Sequence, residues 1–410
     1  MRRGWRLSVL LWILLLSLVA GRVTGANWDF TAPGDPNRSW SVSAYTAGTY
    51  DDNFNATTHD RLSGFRDTSD IKLRLSIPLG RLFIGGQYDY GVYYPADPNT
   101  GGYEQSHTLN LSANYIVDPR LTLSLNENFV SSMQPGLVLG PNLVPITISN
   151  YGNYTYEAVG GGVNYAITPL WSMVANASWD IWQYQSSEDS FLYDHEDYSA
   201  TISALYALDT RTTVGLNYQY AQDVYVHPGP GNGLNGYSNN GYLSATRRFN
   251  PRLSLTLNAG YTIRNSEDGT ESTSPSGSGV LTYNYNIDST ITLTVAQSLS
   301  AASAGITQSY SAQENSSLAL QVNHRLTPRL RAIADVTYVY STFTAPLAGT
   351  SLTLKPNDQA LTSHIGFSYT FREWLSASAD YLHADLTSSD PSITQPYSRD
   401  QVSIGMTLTY

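Results

Sequence analysis

The sequence predicts an all-β protein: a transmembrane, antiparallel, up-and-down β-barrel of about 18 strands, with about 16 as the alternative count. Three observations carry this. Apolar and polar residues alternate through many segments, a short turn motif recurs down the chain, and the composition is poor in charge and rich in tyrosine.

The last segment alternates most clearly. Val402, Ile404, Met406, Leu408 and Tyr410 fall on one face, and Ser403, Gly405, Thr407 and Thr409 on the other. A period of two is that of a β-strand with one apolar and one polar side. Leu253, Leu255, Leu257, Ala259, Tyr261 and Ile263 show the same phase, as do Leu330, Ala332, Ala334, Val336, Tyr338 and Tyr340. The intervening residues are mostly Ser, Thr, Asn, Gln and Gly. A soluble sandwich would place Lys and Glu there, whereas a wet lumen suits small neutral groups.

Between alternating segments lies a turn motif. Its copies include Val117-Asp118-Pro119-Arg120, Ile167-Thr168-Pro169-Leu170, Leu208-Asp209-Thr210-Arg211, Phe249-Asn250-Pro251-Arg252 and Leu326-Thr327-Pro328-Arg329. Asp, Asn, Pro and Gly close tight turns, and a period of roughly 40 residues marks one repeated supersecondary unit. The unit is a hairpin: down-strand, tight turn, up-strand, long loop. Eight such turns, with an up-strand at Trp40–Asn53 and a final strand at 398–410, give the strand count. The segment 151–165 alternates poorly, which leaves the lower count open. Stretches 54–66, 94–105, 132–150, 226–237, 265–277, 343–358 and 387–397 are expected as outer loops, being rich in Gly, Pro, Ser, Asn and Asp.

Composition agrees. Charged residues make up 13% of the chain, against about 25% in soluble domains. Tyrosine occurs 31 times and cysteine not at all, so no disulfide framework exists. Arg2, Arg3 and Arg6 precede an apolar run from Leu7 to Ala20, and Thr24-Gly25-Ala26 offers small residues for cleavage. The run is too short to span a bilayer and reads as a secretory signal. The expected division is a signal peptide at 1–26, a short periplasmic segment at 27–38 and the barrel at 39–410. Cleavage removes Arg2, Arg3, Arg6 and Arg22, taking the net charge from −11 to −15. So acidic a surface argues against nucleic acid as a partner.

The first strand ends Thr49-Tyr50-Asp51-Asp52-Asn53-Phe54. With the signal peptide, the hairpin repeat and the terminal aromatic, this resembles the putative β-barrel porin families of Gram-negative outer membranes. In several of these a Tyr-acidic-Asp-Asn segment closes the first strand. The resemblance implies a channel in the cell outer membrane, surrounded by its lipid. A last strand ending on outward Leu408 and Tyr410 likewise resembles the signal read by the barrel-assembly machinery.

Function should then reside in the lumen. Lys72, Arg74, Asp180, Asp223, Arg264, Arg331, Asp335 and Asp380 are the charges on inward phases, candidates to line the pore. Both signs occur among neutral polar groups, which suits passive diffusion of small hydrophilic solutes with weak charge preference. Alternatively, pairs such as Arg331 and Asp335 brace the wall. The other functional reading is a structural or binding barrel, acting in adhesion or as the outer-membrane part of an export assembly.

No catalytic, cofactor-binding or metal-binding set is expected. The seven histidines show no His-x-x-x-His spacing, and zinc is not expected without cysteine. Asp194-His195-Glu196-Asp197 is the one dense polar cluster, a solvated rim or a site for hydrolytic chemistry or a divalent cation. The segment Ser131–Asn150 is unusually apolar for an outer loop. It is expected to fold into the pore or to meet a partner.

Replacing Leu408 and Tyr410 with Asp is expected to strand the chain in the periplasm. Quantitative blotting of outer-membrane fractions tests this, and wild-type surface levels would refute the role given to these residues.

Overall fold

The structure, a computed structural model, describes residues 39–410 apart from 54–55, 95–102, 133–136, 140–144, 148–152, 186–193, 228–233, 303–309, 347–355 and 392–395. The expected signal and periplasmic segments, 1–38, lie outside the described residues.

The first strands are β1 (Trp40–Asp51), β2 (Gly64–Leu79), β3 (Leu82–Tyr94), β4 (Glu104–Asp118) and β5 (Leu121–Ser132). Next come the three-residue β6 (Leu137–Leu139) and β7 (Pro145–Thr147), then β8 (Tyr154–Ala166), β9 (Trp171–Tyr184) and β10 (His195–Ala207). The chain continues with β11 (Thr212–Tyr225), β12 (Gly236–Asn250), β13 (Leu253–Ser266), β14 (Glu271–Asn286) and β15 (Ser289–Ala301). It ends with β16 (Tyr310–Arg325), β17 (Leu330–Pro346), β18 (Asn357–Arg372), β19 (Leu375–Ser388) and β20 (Tyr397–Thr409). No described residue is helical.

Each long strand pairs antiparallel with the next, β5 pairs with β8, and β20 returns to β1. The result is a closed barrel of 18 strands. The β6–β7 hairpin forms a separate two-stranded sheet within the apolar 131–150 segment. Whether that segment enters the pore falls outside the described residues.

The turns explain why the motif recurs. Asp118 Oδ1 accepts the amides of Arg120 and Leu121 at 2.7 and 3.1 Å. Asn250 Oδ1 accepts those of Arg252 and Leu253 at 2.8 and 3.0 Å. Thr168 and Thr327 make the same pair of contacts through Oγ1. Asp209 Oδ1 accepts the Arg211 amide, which holds its carboxyl below the usual carboxylate range. A short oxygen-bearing side chain before Pro or Thr thus replaces the missing strand partner for the turn's amides.

Alternation becomes a wall with two surfaces. Leu216, Leu243 and Ile404 are 65%, 64% and 67% exposed. Such burial-seeking groups can stand outward only against lipid. At the tight-turn end the outward face carries Tyr115, Tyr165, Trp171, Tyr283, Tyr369 and Tyr410. Toward the long connections it carries Tyr50, Phe65, Tyr198, Tyr218, Tyr261 and Tyr381. Two aromatic girdles flanking an apolar band are the signature of a membrane-spanning barrel.

One expected loop is not a loop. β13 runs to Ser266 and β14 starts at Glu271, so 265–277 contains a tight connection and the beginning of a strand. Its Ser-Thr-Ser-Pro-Ser-Gly sequence is small and polar on both phases, so no period marks it. Outer connections at 185–194 and 302–309 also separate β9 from β10 and β15 from β16. The doubtful segment near 151–165 is β8, whose weak alternation reflects Gly160, Gly161 and Gly162.

Leu257 is outward and half exposed, while Thr256 faces inward beside Thr246. Leu257→Arg is expected to cost about 2–4 kcal/mol near the midplane and to impair assembly, with Thr256→Arg tolerated. Urea unfolding of the two refolded variants in bilayers checks the difference; equal losses would contradict the assigned faces.

Candidate functional site: the inward wall

Register places Lys72, Arg74, Asp180, Asp223, Arg264, Arg331, Asp335 and Asp380 on the inward face. They form separate groups rather than one ring.

On β2 and β3, Lys72 Nζ lies 3.5 Å from Asp89 Oδ2. Gln87 donates to Asp89 at 2.8 Å and accepts from Arg74 Nε at 3.2 Å. Asp70 shares this face. Across β9, β10 and β11, Asp180, Asp197 and Asp223 are direct cross-strand neighbours. Like charges so placed repel. Arg264, almost wholly buried, offsets this through an ion pair with Asp223 and a hydrogen bond to the Leu234 carbonyl.

Beside the acids runs a row of rings. Tyr156 and Trp182 have centroids 4.4 Å apart, Trp182 stacks on His195 at 6.0 Å, and His195 on Tyr225 at 4.9 Å. Tyr154 and Tyr184 extend the row and are buried. Stacking across strands couples these rings and stiffens this part of the wall.

The Asp194–Asp197 cluster does not survive folding as a unit. Strand alternation sends His195 and Asp197 inward and Glu196 outward, where it accepts from Trp179 Nε1 and Tyr198 Oη. Asp194 accepts the Tyr184 amide. Among the described residues no group of three His, Asp or Glu side chains could hold a metal ion.

The expected Arg331–Asp335 brace is also absent. Arg331 reaches the turn residue Asp288 at 3.9 Å, where Arg325 already donates at 2.7 Å. Asp335 instead meets His364, which also meets Asp380. Spacing in the sequence could not show this, because the three residues lie on different strands. The same-face phase of Asp70 with Lys72 was a readable signal.

Neutral pairs fill the remaining wall: Asn217 with Ser244, Asn258 with Ser278, and Ser276 with Asn240, at 2.8–3.0 Å. The interior remains accessible. Arg331 and Lys72 side chains are 64% and 36% exposed, and the inward Ile333 is 38% exposed.

The Tyr50-Asp51-Asp52-Asn53 segment proves to be the fastening of the barrel seam. Asp51, 2% exposed, accepts from Arg399 Nε and Nη2, Gln401 Nε2 and the Asn53 amide. Asn53 Nδ2 donates to the Ser398 carbonyl at 2.8 Å, and Asp52 Oδ1 accepts the Asp400 amide at 2.6 Å. At the other end of the seam Tyr410 and Val42 exchange both backbone hydrogen bonds, and the Tyr410 ring lies 6.1 Å from Trp40.

A closed barrel with a polar, accessible interior and an apolar, aromatic-edged exterior is a membrane-spanning β-barrel. Residues 238–410 match the family described as "Putative beta-barrel porin 2". No curated protein matches the chain. Solved structures similar in architecture include OccK1 (OpdK) of Pseudomonas aeruginosa, at 12% identity and TM-score 0.49, covering 90% of this chain and 99% of that one. OccAB3 of Acinetobacter baumannii is similar at 10% identity and TM-score 0.45, with coverage of 90% and 99%. The siderophore receptor PirA of the same organism is similar at 7% and 0.45, with coverage of 90% and 80%.

Asp51→Ala is expected to cost about 3–5 kcal/mol, because Arg399 stays largely buried without its partner. Heat-modifiable migration in gels and urea midpoints read the loss. Asp51→Ala combined with Arg399→Met is expected to recover much of it; no recovery would show that the pair does not fasten the seam.

Proposed function

We propose that this protein is a porin-like channel of the outer membrane, passing small hydrophilic solutes by passive diffusion. The observation that carries this reading is the inner wall, where neutral hydrogen-bonded pairs alternate with charges of both signs that stay partly exposed. Barrels filled for structural reasons bury such groups. Selectivity of the strong kind needs rings of one sign, and here Lys72 and Arg74 share the wall with Asp70 and Asp89.

The second reading, a binding or structural barrel in adhesion or export, draws on the packed, buried rings of Tyr154, Tyr184 and Tyr225 on the inward phase of the wall. Neither reading includes catalysis. The outer-membrane lipid and the barrel-assembly machinery are the expected partners, and the barrel segment is taken as 39–410 after removal of 1–26.

Refolded mature protein in planar bilayers is expected to give discrete conductance steps without voltage priming. Excision of Gln134–Pro145 is expected to raise the step size with folding preserved. A folded barrel that conducts nothing would transfer the protein to the binding reading, and unchanged conductance after excision would remove that segment from the bore.

A further inference from the structure

Asp335, His364 and Asp380 stand side by side on the inward faces of β17, β18 and β19. His364 Nδ1 lies 3.0 Å from Asp335 Oδ1, and Nε2 lies 3.2 Å from Asp380 Oδ1. A neutral imidazole has one N–H and one lone pair. With both carboxyls ionised, both contacts can therefore be hydrogen bonds only when the ring carries both protons. With one proton, a lone pair is aimed at a carboxylate oxygen and the contact turns repulsive.

The space around the group is shaped for it. Gly366 sits opposite Asp380, and a Cβ there would run into Asp380 Oδ1 and stand 3.2 Å from His364 Nε2. Nearby, a Cβ on Gly405 would meet the Tyr45 ring at 2.5 Å, so glycine lets that ring lie across β20. Tyr45 bonds Ser378 and stands between Asp380 and Asp70. The charged and titratable groups facing the triad are thus Arg331 on its own sector, Tyr45 from β1 and Asp70 from β2. The three side chains are 26–33% exposed, so ions in the bore meet them directly.

We propose that Asp335, His364 and Asp380 set the ion selectivity of the bore and make it depend on pH. The inference rests on the channel reading above. With both ring protons in place the triad carries one net negative charge; with one it carries two. Fixed carboxylates on a low-dielectric wall concentrate cations, so preference for cations rises as pH is raised through the ring's titration.

The test is the reversal potential of refolded wild-type protein in an asymmetric KCl gradient, between about pH 5 and pH 8. Wild type is expected to shift toward the cation value with rising pH. His364→Gln keeps a side chain that can contact one carboxylate but cannot titrate, and its profile is expected to be flat. Asp335→Asn is expected to weaken cation preference throughout, and His107→Gln, on the outward phase of β4 beside Tyr88, to leave the wild-type profile intact. A pH shift that persists in His364→Gln overturns the inference. For variants that fail to fold, nitrogen-15 shifts of the wild-type histidine rings report whether one or both nitrogens carry protons. A His364 midpoint that does not coincide with the selectivity shift overturns the inference as well. Conduction with pH-independent selectivity refutes the triad's role alone, whereas absence of any conduction refutes the channel reading itself.

Discussion

Every backbone amide and carbonyl crossing a bilayer in an extended strand must find its partner in a neighbouring strand, because lipid offers none. An open sheet leaves two unpaired edges, each costly in hydrocarbon. The pairing of β20 with β1 removes both at once. The other features follow from that closure. A strand with lipid on one side and water on the other must alternate, and aromatic residues collect at the two levels where these environments meet.

Features dictated by a single strand could be read directly. The outward phase of Leu253 to Ile263 and of Val402 to Tyr410 is visible because lipid tolerates few alternatives. The turns at Asp118, Asp209 and Asn250 are visible because few side chains can accept the two amides that follow. Stretch 265–277 is opaque for the opposite reason, since serine and glycine suit a loop, a lumen and a wall above the membrane equally well.

Features dictated by register were not readable. Asp335, His364 and Asp380 are separated by 29 and 16 positions, and only the pairing of β17 with β18 and β18 with β19 brings them together. Register also divides what the sequence places together: neighbours His195 and Glu196 end on opposite sides of the wall, one among stacked rings in the lumen and the other bonded to Trp179 and Tyr198 outside. Charge in the interior is therefore organised by sector. One arc joins three aspartates to Arg264 beside packed aromatics, and another carries the histidine triad and the Lys72–Asp89 pair. Between them, uncharged amides and hydroxyls satisfy one another. Such a wall acts on a solute locally, through whichever sector the solute touches.

The seam has a consequence for synthesis and quality control. Asp51 and Arg399 are 348 positions apart, so one is made long before the other during translation. A polypeptide released early would carry the acceptor without its donor, and its first strand would have nothing to dock against. Such a product keeps an exposed sheet edge, the feature by which incompletely folded β-proteins aggregate or meet proteases. The fastening thus doubles as a test of completeness, passed only by chains that have been translated through Arg399.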